Sequence, residues 1–171
     1  MTDNYIQLKK SNILKLGIKD ENGEPTGEFL EFDLEDAGLL LKYQDLIEQE
    51  KRNQLFLKNQ LFMIRKRPDV KGKKLLSKNE EDELRAKKDF LEREKNIYNI
   101  FLGDRGVEKL LNGKEISAKR LREIDEIIEK QIYPFLEKNM NDIKDDIEKK
   151  YQNMIEMDKN VIEMTEDNGN E

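Results

Sequence analysis

Two of the residue types that often carry out enzyme chemistry, histidine and cysteine, are missing from this chain. Its 171 residues include no histidine and no cysteine, which removes the common general base, the common zinc ligand and the thiol nucleophile. Among the remaining carboxylates, Asp145 and Asp146 form an adjacent pair. The pair lies in a charge-rich helical pattern, where acidic side chains form a solvated face. We therefore expect a binding protein with no enzymatic activity, no cofactor and no metal site.

Two other segments contain residues that bind ions or phosphate in other proteins. Asp20, Asn22 and Glu24 resemble the start of an EF-hand loop, but Pro25 interrupts the required spacing and no helix is predicted before the segment. Residues 103–106 read Gly-Asp-Arg-Gly, without the Gly-Lys-Ser/Thr ending or the preceding strand of a phosphate-binding loop. Neither segment is predicted to be a site.

A basic segment between Arg65 and Lys78 is the third candidate. It contains seven basic residues and could contact phosphate groups or be a solvated connection between helices. No aromatic residue is interleaved to stack on bases, acidic residues follow at once from Glu80 to Glu83, and the whole chain has a net charge of −6. We favour a solvated connection, so nucleic acid is not an expected partner, although a small nucleic-acid-binding regulator stays as a lesser alternative.

Composition predicts one thin-cored, helical domain. Hydrophobic residues make up 36% of the chain and charged residues 41%, against the usual quarter for charged residues. No apolar run approaches the ~18 residues of a membrane span and no signal pattern begins the chain, so we expect a cytoplasmic protein without membrane association. The expected division is a flexible start over 1–11, one domain over 12–157 and a disordered acidic tail over 158–171.

The predicted fold is mainly α, with an N-terminal β-hairpin followed by three long helices and a short helix between the second and the third. Two short apolar runs, residues 12–19 and 29–34, flank the turn-forming residues 20–27, which predicts the hairpin; a disordered arm is the alternative. The first long helix is predicted from Leu34 to Arg65 with Asp33 as N-cap, and Leu57, Leu61 and Ile64 mark an apolar stripe along its second half. Its stretch from Glu48 to Gln54 has no apolar residue, so we expect it to stand in solvent or to mark a change of buried face.

The second long helix is predicted from Asn79 to Leu102, with Ser77 and Glu80 at capping-box spacing. Its apolar face ends at Phe101, where a glycine-rich corner begins. Gly103 and Gly113 bracket a short helix that carries Val107, Leu110 and Leu111, and Gly106 belongs to the corner, because glycine past an apolar run stops a helix at little cost. This corner is expected to set how the flanking helices lie against each other.

The last helix is predicted to begin after Ser117 and to run for about 40 residues, or about 60 Å. Pro134 interrupts it and predicts a kink near Tyr133, or two helices meeting there. Beyond the kink an apolar stripe continues at helical spacing that the shorter elements cannot cover. We expect this stripe to pack on another copy of the chain, on a client protein or on both; the alternative is that the helix folds back at Pro134 and buries the stripe within one chain. The members of the stripe are Met140, Ile143, Ile147, Tyr151, Met154 and Ile155. Methionine suits such a surface because its flexible side chain accepts varied apolar partners.

Two segments carry a resemblance to a known family. Residues 97–113 read Ile-Tyr-Asn-Ile-Phe-Leu-Gly-Asp-Arg-Gly-Val-Glu-Lys-Leu-Leu-Asn-Gly, and residues 132–138 read Ile-Tyr-Pro-Phe-Leu-Glu-Lys. An apolar helix ending in Phe-x-Gly, a short Glu-Lys-apolar-apolar helix and a final apolar-Pro-apolar element together resemble tail assembly chaperones and related tail-region proteins of phages and prophages of Gram-positive bacteria. The resemblance spans roughly Ile13 to Tyr151.

The resemblance implies a mostly helical protein that self-associates and acts in the bacterial host cytoplasm before the virion is complete. Such proteins coat the tape measure protein and help recruit tail tube subunits, which would be the partners here. They are usually absent from the finished tail, and a longer product often arises by ribosomal frameshift. The alternative is a structural tail or baseplate component that stays in the particle.

Overall fold

Helices form most of the chain in the computed structural model, which describes residues 12–167 and the side chains up to Gln152. This confirms the predicted class, a mainly helical fold with an N-terminal hairpin and a kinked last helix. None of the helices in this range is long and apolar enough to cross a membrane. The elements are β1 (Ile13–Lys19), β2 (Pro25–Asp33), α1 (Ala37–Lys66), α2 (Lys78–Leu102), α3 (Gly106–Leu111), α4 (Ala118–Ile127), a π-helical turn (Ile128–Ile132) and α5 (Tyr133–Asp167).

The hairpin pairs β1 and β2 in antiparallel register, with Leu16 opposite Leu30. Side chains alternate along β2, so that Leu30 and Phe32 are buried. In the turn, the Asp20 carboxylate accepts hydrogen bonds from the backbone N–H groups of Asn22 at 2.8 Å and Glu24 at 2.9 Å. Asp20 therefore stabilises the turn through hydrogen bonds to the turn's own backbone.

One hydrophobic cluster joins the buried face of the hairpin to all the helices around the corner. Aromatic rings lie at its centre, where the Phe101 ring centroid is 5.7 Å from that of Phe32 and 5.5 Å from that of Tyr43. Val107 and Ile132 are fully buried beside them. A two-stranded hairpin is marginal alone, so burial of this face against helices stabilises it.

Helix α1 begins one turn later than the sequence predicts. The N-cap is Asp36, whose carboxylate accepts from the backbone N–H of Gly38 at 2.8 Å. The predicted cap, Asp33, instead accepts from the N–H of Glu35 at 3.0 Å and forms the turn that leaves β2. Both aspartates have capping chemistry, and the strand pairing of Asp33 with Ile13 decides between them.

Helices α1 and α2 pair as an antiparallel arm that extends beyond the hydrophobic core. Charged pairs join their ends, with Arg65 2.9 Å from Glu83 and Arg67 2.8 Å from Asp82. Helix α2 begins with the predicted capping box: the Ser77 hydroxyl accepts from the N–H of Glu80, whose carboxylate accepts from the N–H of Ser77. The sequence predicts that the middle of α1 stands in solvent or marks a change of buried face. Asn53 in this stretch is buried against α2, so the stretch is not wholly solvated.

The corner between α2 and α3 depends on two glycines. Gly103 has φ 90°, a conformation that residues with a Cβ rarely adopt. A Cβ at Gly106 would lie 2.4 Å from the Cβ of Leu102. Across this corner, the Asn99 side chain accepts from the N–H of Val107 at 2.8 Å and donates to Glu108 at 2.9 Å. The second corner contains Gly113 with φ 79°.

A π-helical turn accommodates Pro134 in the last helical element. Proline has no N–H and its ring clashes with the carbonyl one helical turn earlier, here that of Lys130. The preceding turn widens over Ile128–Ile132, and the N–H of Tyr133 bonds to the carbonyl of Ile128, five residues back. The expected interruption is therefore a wide turn between α4 and α5. Helix α5 includes residues 158–167, which the sequence assigns to an acidic tail, whereas residues 1–11 and 168–171 lie outside the described residues.

Candidate protein-binding surfaces

Helix α5 carries the predicted partner-binding stripe out of the hydrophobic core. Leu136 near its start is 3% exposed, Met140 and Ile143 are half-buried, Ile147 is 51% exposed and Tyr151 is 42% exposed. The apolar pattern therefore continues after the core that would cover it has ended. Met154 and Ile155 were predicted to extend the stripe, and their side chains lie outside the described residues.

Contacts at the start of α5 define its direction. The Tyr133 ring lies 5.4 Å from that of Tyr43 in α1. Two turns later, Asn139 accepts a hydrogen bond from Asn12, whose carbonyl accepts from the N–H of Leu34, just ahead of α1. Helix α5 thus runs antiparallel to α1 and leaves the core past the beginning of α1. The arm leaves the core at the opposite end.

The arm presents a second apolar surface that the sequence interpretation missed. We call it the arm face and define it by four exposed side chains of α1: Leu55, Phe56, Phe62 and Met63. The residues predicted as the apolar stripe, Leu57, Leu61 and Ile64, lie on the other side, toward α2. A signal was present, since residues 55, 56, 62 and 63 share one helical face, but α1 has apolar residues on both sides and only one was assigned.

A buried polar cluster joins α1, α2 and α4 and was also missed. Glu94 is 2% exposed and accepts from the Asn53 amide at 2.5 Å. The Tyr98 phenol, 1% exposed, lies 2.9 Å from a Glu50 carboxyl oxygen and also hydrogen bonds to Asp125. The phenol has one proton and donates it to one of these two carboxyl groups. The other carboxyl group is neutral and donates its own proton to the phenol oxygen.

Burial changes the acidity of this cluster. It raises the pKa of Glu94 to about 7, and the charges of Glu50 and Asp125 act in the same direction. Burial also raises the pKa of Glu50 and that of Asp125. Perturbed acids can mark active sites, but this cluster has no histidine, cysteine or lysine partner and is closed by its own hydrogen bonds. Its chemistry fits a structural link between helices.

The basic residues between Arg65 and Lys78 divide into some that form ion pairs and others that are exposed in the loop. Arg65, Arg67 and Lys78 bind acidic residues at the start of α2, while Lys71, Lys73 and Lys74 are exposed in the connecting loop. That arrangement fits a solvated connection.

Over the residues described, no group of three or more acidic side chains is placed to hold a metal ion. The corner residues Phe101, Gly103, Gly106, Gly113 and Pro134 shape the fold.

The chain matches no family model, no curated protein and no solved structure.

Proposed function

We propose that this chain is a tail assembly chaperone of a phage or prophage, a non-catalytic protein that coats the tape measure protein in the host cytoplasm and helps recruit tail tube subunits. The proposal joins the resemblance of residues 97–113 and 132–138 to one structural observation. That observation is the apolar stripe of α5, which leaves the core with Ile147 and Tyr151 exposed. Apolar stripes of this kind mark protein-binding sites.

The geometry of the stripe suits a chaperone that binds extended or helical client segments. A single amphipathic helix can pair with apolar client residues through anchors spaced three and four apart. The stripe supplies such anchors at residues 140, 143, 147 and 151. Its rim contains residues of both charge signs, including Asp146, Lys144 and Lys150, so apolar contact rather than one net charge would select the client.

Co-expression with the tape measure protein of the same phage tests this function. A stripe variant carrying Ile143→Ser and Ile147→Ser should lose most of the co-purified client, because both anchors lose their apolar surface. The matched control is Asp145→Ala with Lys149→Ala, which lies on the opposite side of α5, leaves the net charge unchanged and should retain the client. Equal retention by the stripe variant and its control would contradict the proposal.

The alternative, a component retained in the particle, predicts a different outcome in finished virions. A chaperone of this class should be absent from purified particles by mass spectrometry while present in infected-cell lysate. Stoichiometric recovery in particles would favour the structural component.

A further inference from the structure

The arm face is a continuous apolar surface on the outward side of α1. Its four members are 57%, 44%, 56% and 63% exposed in the order Leu55, Phe56, Phe62 and Met63. At 100° per residue they fall within one third of the helical circumference, with Asn59 at the centre. Arg93 lies 4.3 Å above the Phe56 ring and Lys66 4.2 Å above the Phe62 ring. A cation therefore lies over each of the two aromatic rings of this surface.

Within the described part of the chain, the copy that carries the arm face does not cover it. The opposite side of α1 packs on α2, where Asn53 contacts Glu94. Helix α5 contacts the beginning of α1, near Tyr43, and runs away from the arm. A surface with four large exposed apolar residues on one helix is larger than the scattered apolar residues common on monomers.

Charge indicates which partner fits the arm face. Residues 51–67 contain six basic and no acidic residues. Arg52, Arg65 and Arg67 pair with acidic side chains of the same chain, and the basic residues in no described ion pair are Lys51, Lys58 and Lys66. Residues 153–171 contain six acidic residues and one basic residue, a net charge of −5. The same C-terminal segment is rich in apolar residues, namely Met154, Ile155, Met157, Val161, Ile162 and Met164. An acidic, apolar segment complements a basic, apolar surface in both respects.

We propose that the arm face binds the part of α5 from Ile147 onward in a second copy of this chain, so that copies join head to tail. Helix α5 has 35 residues, about 52 Å at 1.5 Å per residue, and leaves its own core on the side away from its own arm. It therefore reaches the arm of a neighbour. The interface is heterologous, which produces chains or rings of copies rather than a closed dimer. This inference does not depend on the proposed function.

A pair of complementary variants tests the head-to-tail geometry in the full-length chain. The arm variant carries Phe62→Glu and Met63→Glu, which places negative charge opposite the acidic helix of the second copy. The helix variant carries Ile147→Lys and Tyr151→Lys, which places positive charge opposite the basic arm of the second copy. All four side chains are exposed, so both variants should keep the parent's circular dichroism and melting temperature. If the arm variant fails to fold, the milder Leu55→Ser with Met63→Ser replaces it.

Sedimentation velocity of the purified proteins, without any client, gives the readout. The parent should associate beyond a dimer as concentration rises, and each variant alone should sediment as a monomer. An equimolar mixture should contain a one-to-one dimer that grows no further, because one intact arm and one intact helix remain. A loop control, Lys73→Gln with Lys74→Gln, has the same charge change as the arm variant and should associate like the parent.

Three results would each overturn the proposal. They are a parent that stays monomeric, an arm or helix variant that still self-associates alone, and a variant mixture that stays monomeric. Because no tape measure protein is present, these results are independent of the client co-purification described above. A parent chain that associates head to tail but does not co-purify with the tape measure protein would count against the proposed function alone.

Discussion

Replacing Glu94 by glutamine should stabilise the folded chain relative to the parent as pH rises from 5 to 8, because it removes a buried group that ionises in this range. The Glu94 carboxyl is 2% exposed, its single described hydrogen-bond donor is the Asn53 amide at 2.5 Å, and burial raises its pKa to about 7 from an ordinary 4.5. A buried acid of this kind is neutral in the folded chain at pH 5 and ionised at pH 8. Glutamine has nearly the same shape and never ionises.

The sign of the pH dependence follows from linkage. An acid whose pKa is raised on folding stabilises the protein below its unfolded pKa and loses that contribution as pH rises through its folded pKa. The window for Glu94 therefore lies between pH 4.5 and about 7. At about 1.4 kcal/mol per pKa unit, the difference corresponds to about 3 kcal/mol of the free energy of unfolding. Glu50 and Asp125 act in the same direction, because burial raises the pKa of both.

Urea unfolding followed by circular dichroism at pH 5 and pH 8 measures the effect. The parent should be less stable at pH 8 than at pH 5. Glu94→Gln should gain about 2 to 3 kcal/mol relative to the parent between pH 5 and pH 8. Glu137→Gln, an exposed site on α5 with the same chemical change, should follow the parent at both pH values. Parallel behaviour of Glu94→Gln and the parent at the two pH values would refute the reasoning about this cluster.

Three further predictions concern the corner, the basic loop and the absence of catalysis. Gly103→Val should lower the free energy of unfolding by about 1 kcal/mol or more, because valine is strained at a positive φ; thermal unfolding identical to the parent would contradict that. Replacing Lys71, Lys73 and Lys74 together with alanine should leave thermal unfolding within about 0.5 kcal/mol of the parent, and a loss of helical circular dichroism would mean that the loop is packed. Elemental analysis of the purified chain should find no stoichiometric transition metal, and a one-to-one metal would refute the non-catalytic interpretation.

Local signals predicted much of the fold. The capping box at Ser77 depends on two residues three apart, and the structure contains it. Alternation of apolar residues in β1 and β2 likewise predicted the hairpin. The start of α1 was wrong by one turn because Asp33 and Asp36 are chemically equivalent caps. Only the pairing of Asp33 with Ile13 across the hairpin separates them, and such a contact has no local pattern.

The candidate surfaces were predicted less completely, for two physical reasons. The α5 stripe was visible because its apolar residues follow a single helical face. The arm face was hidden because Phe62 and Met63 occupy one side of α1 while Leu61 and Ile64 occupy the other. The periodicity of apolar residues alone therefore does not show which side of α1 is buried. The buried cluster was hidden because Glu94 lies among many solvated charges in α2. Its burial depends on Asn53, 41 residues earlier in the chain.

The most direct test of the central claim, that the chain beyond Pro134 binds the client, is a chain that ends at Lys138. It keeps Ile132 and Leu136, the buried residues around the kink, and loses the whole apolar stripe from Met140 onward. Circular dichroism should first show that the shortened chain remains helical and unfolds cooperatively. The measurement is the amount of tape measure protein that co-purifies with it, relative to the full chain. We predict that the shortened chain retains almost none, and retention equal to that of the full chain would contradict the account.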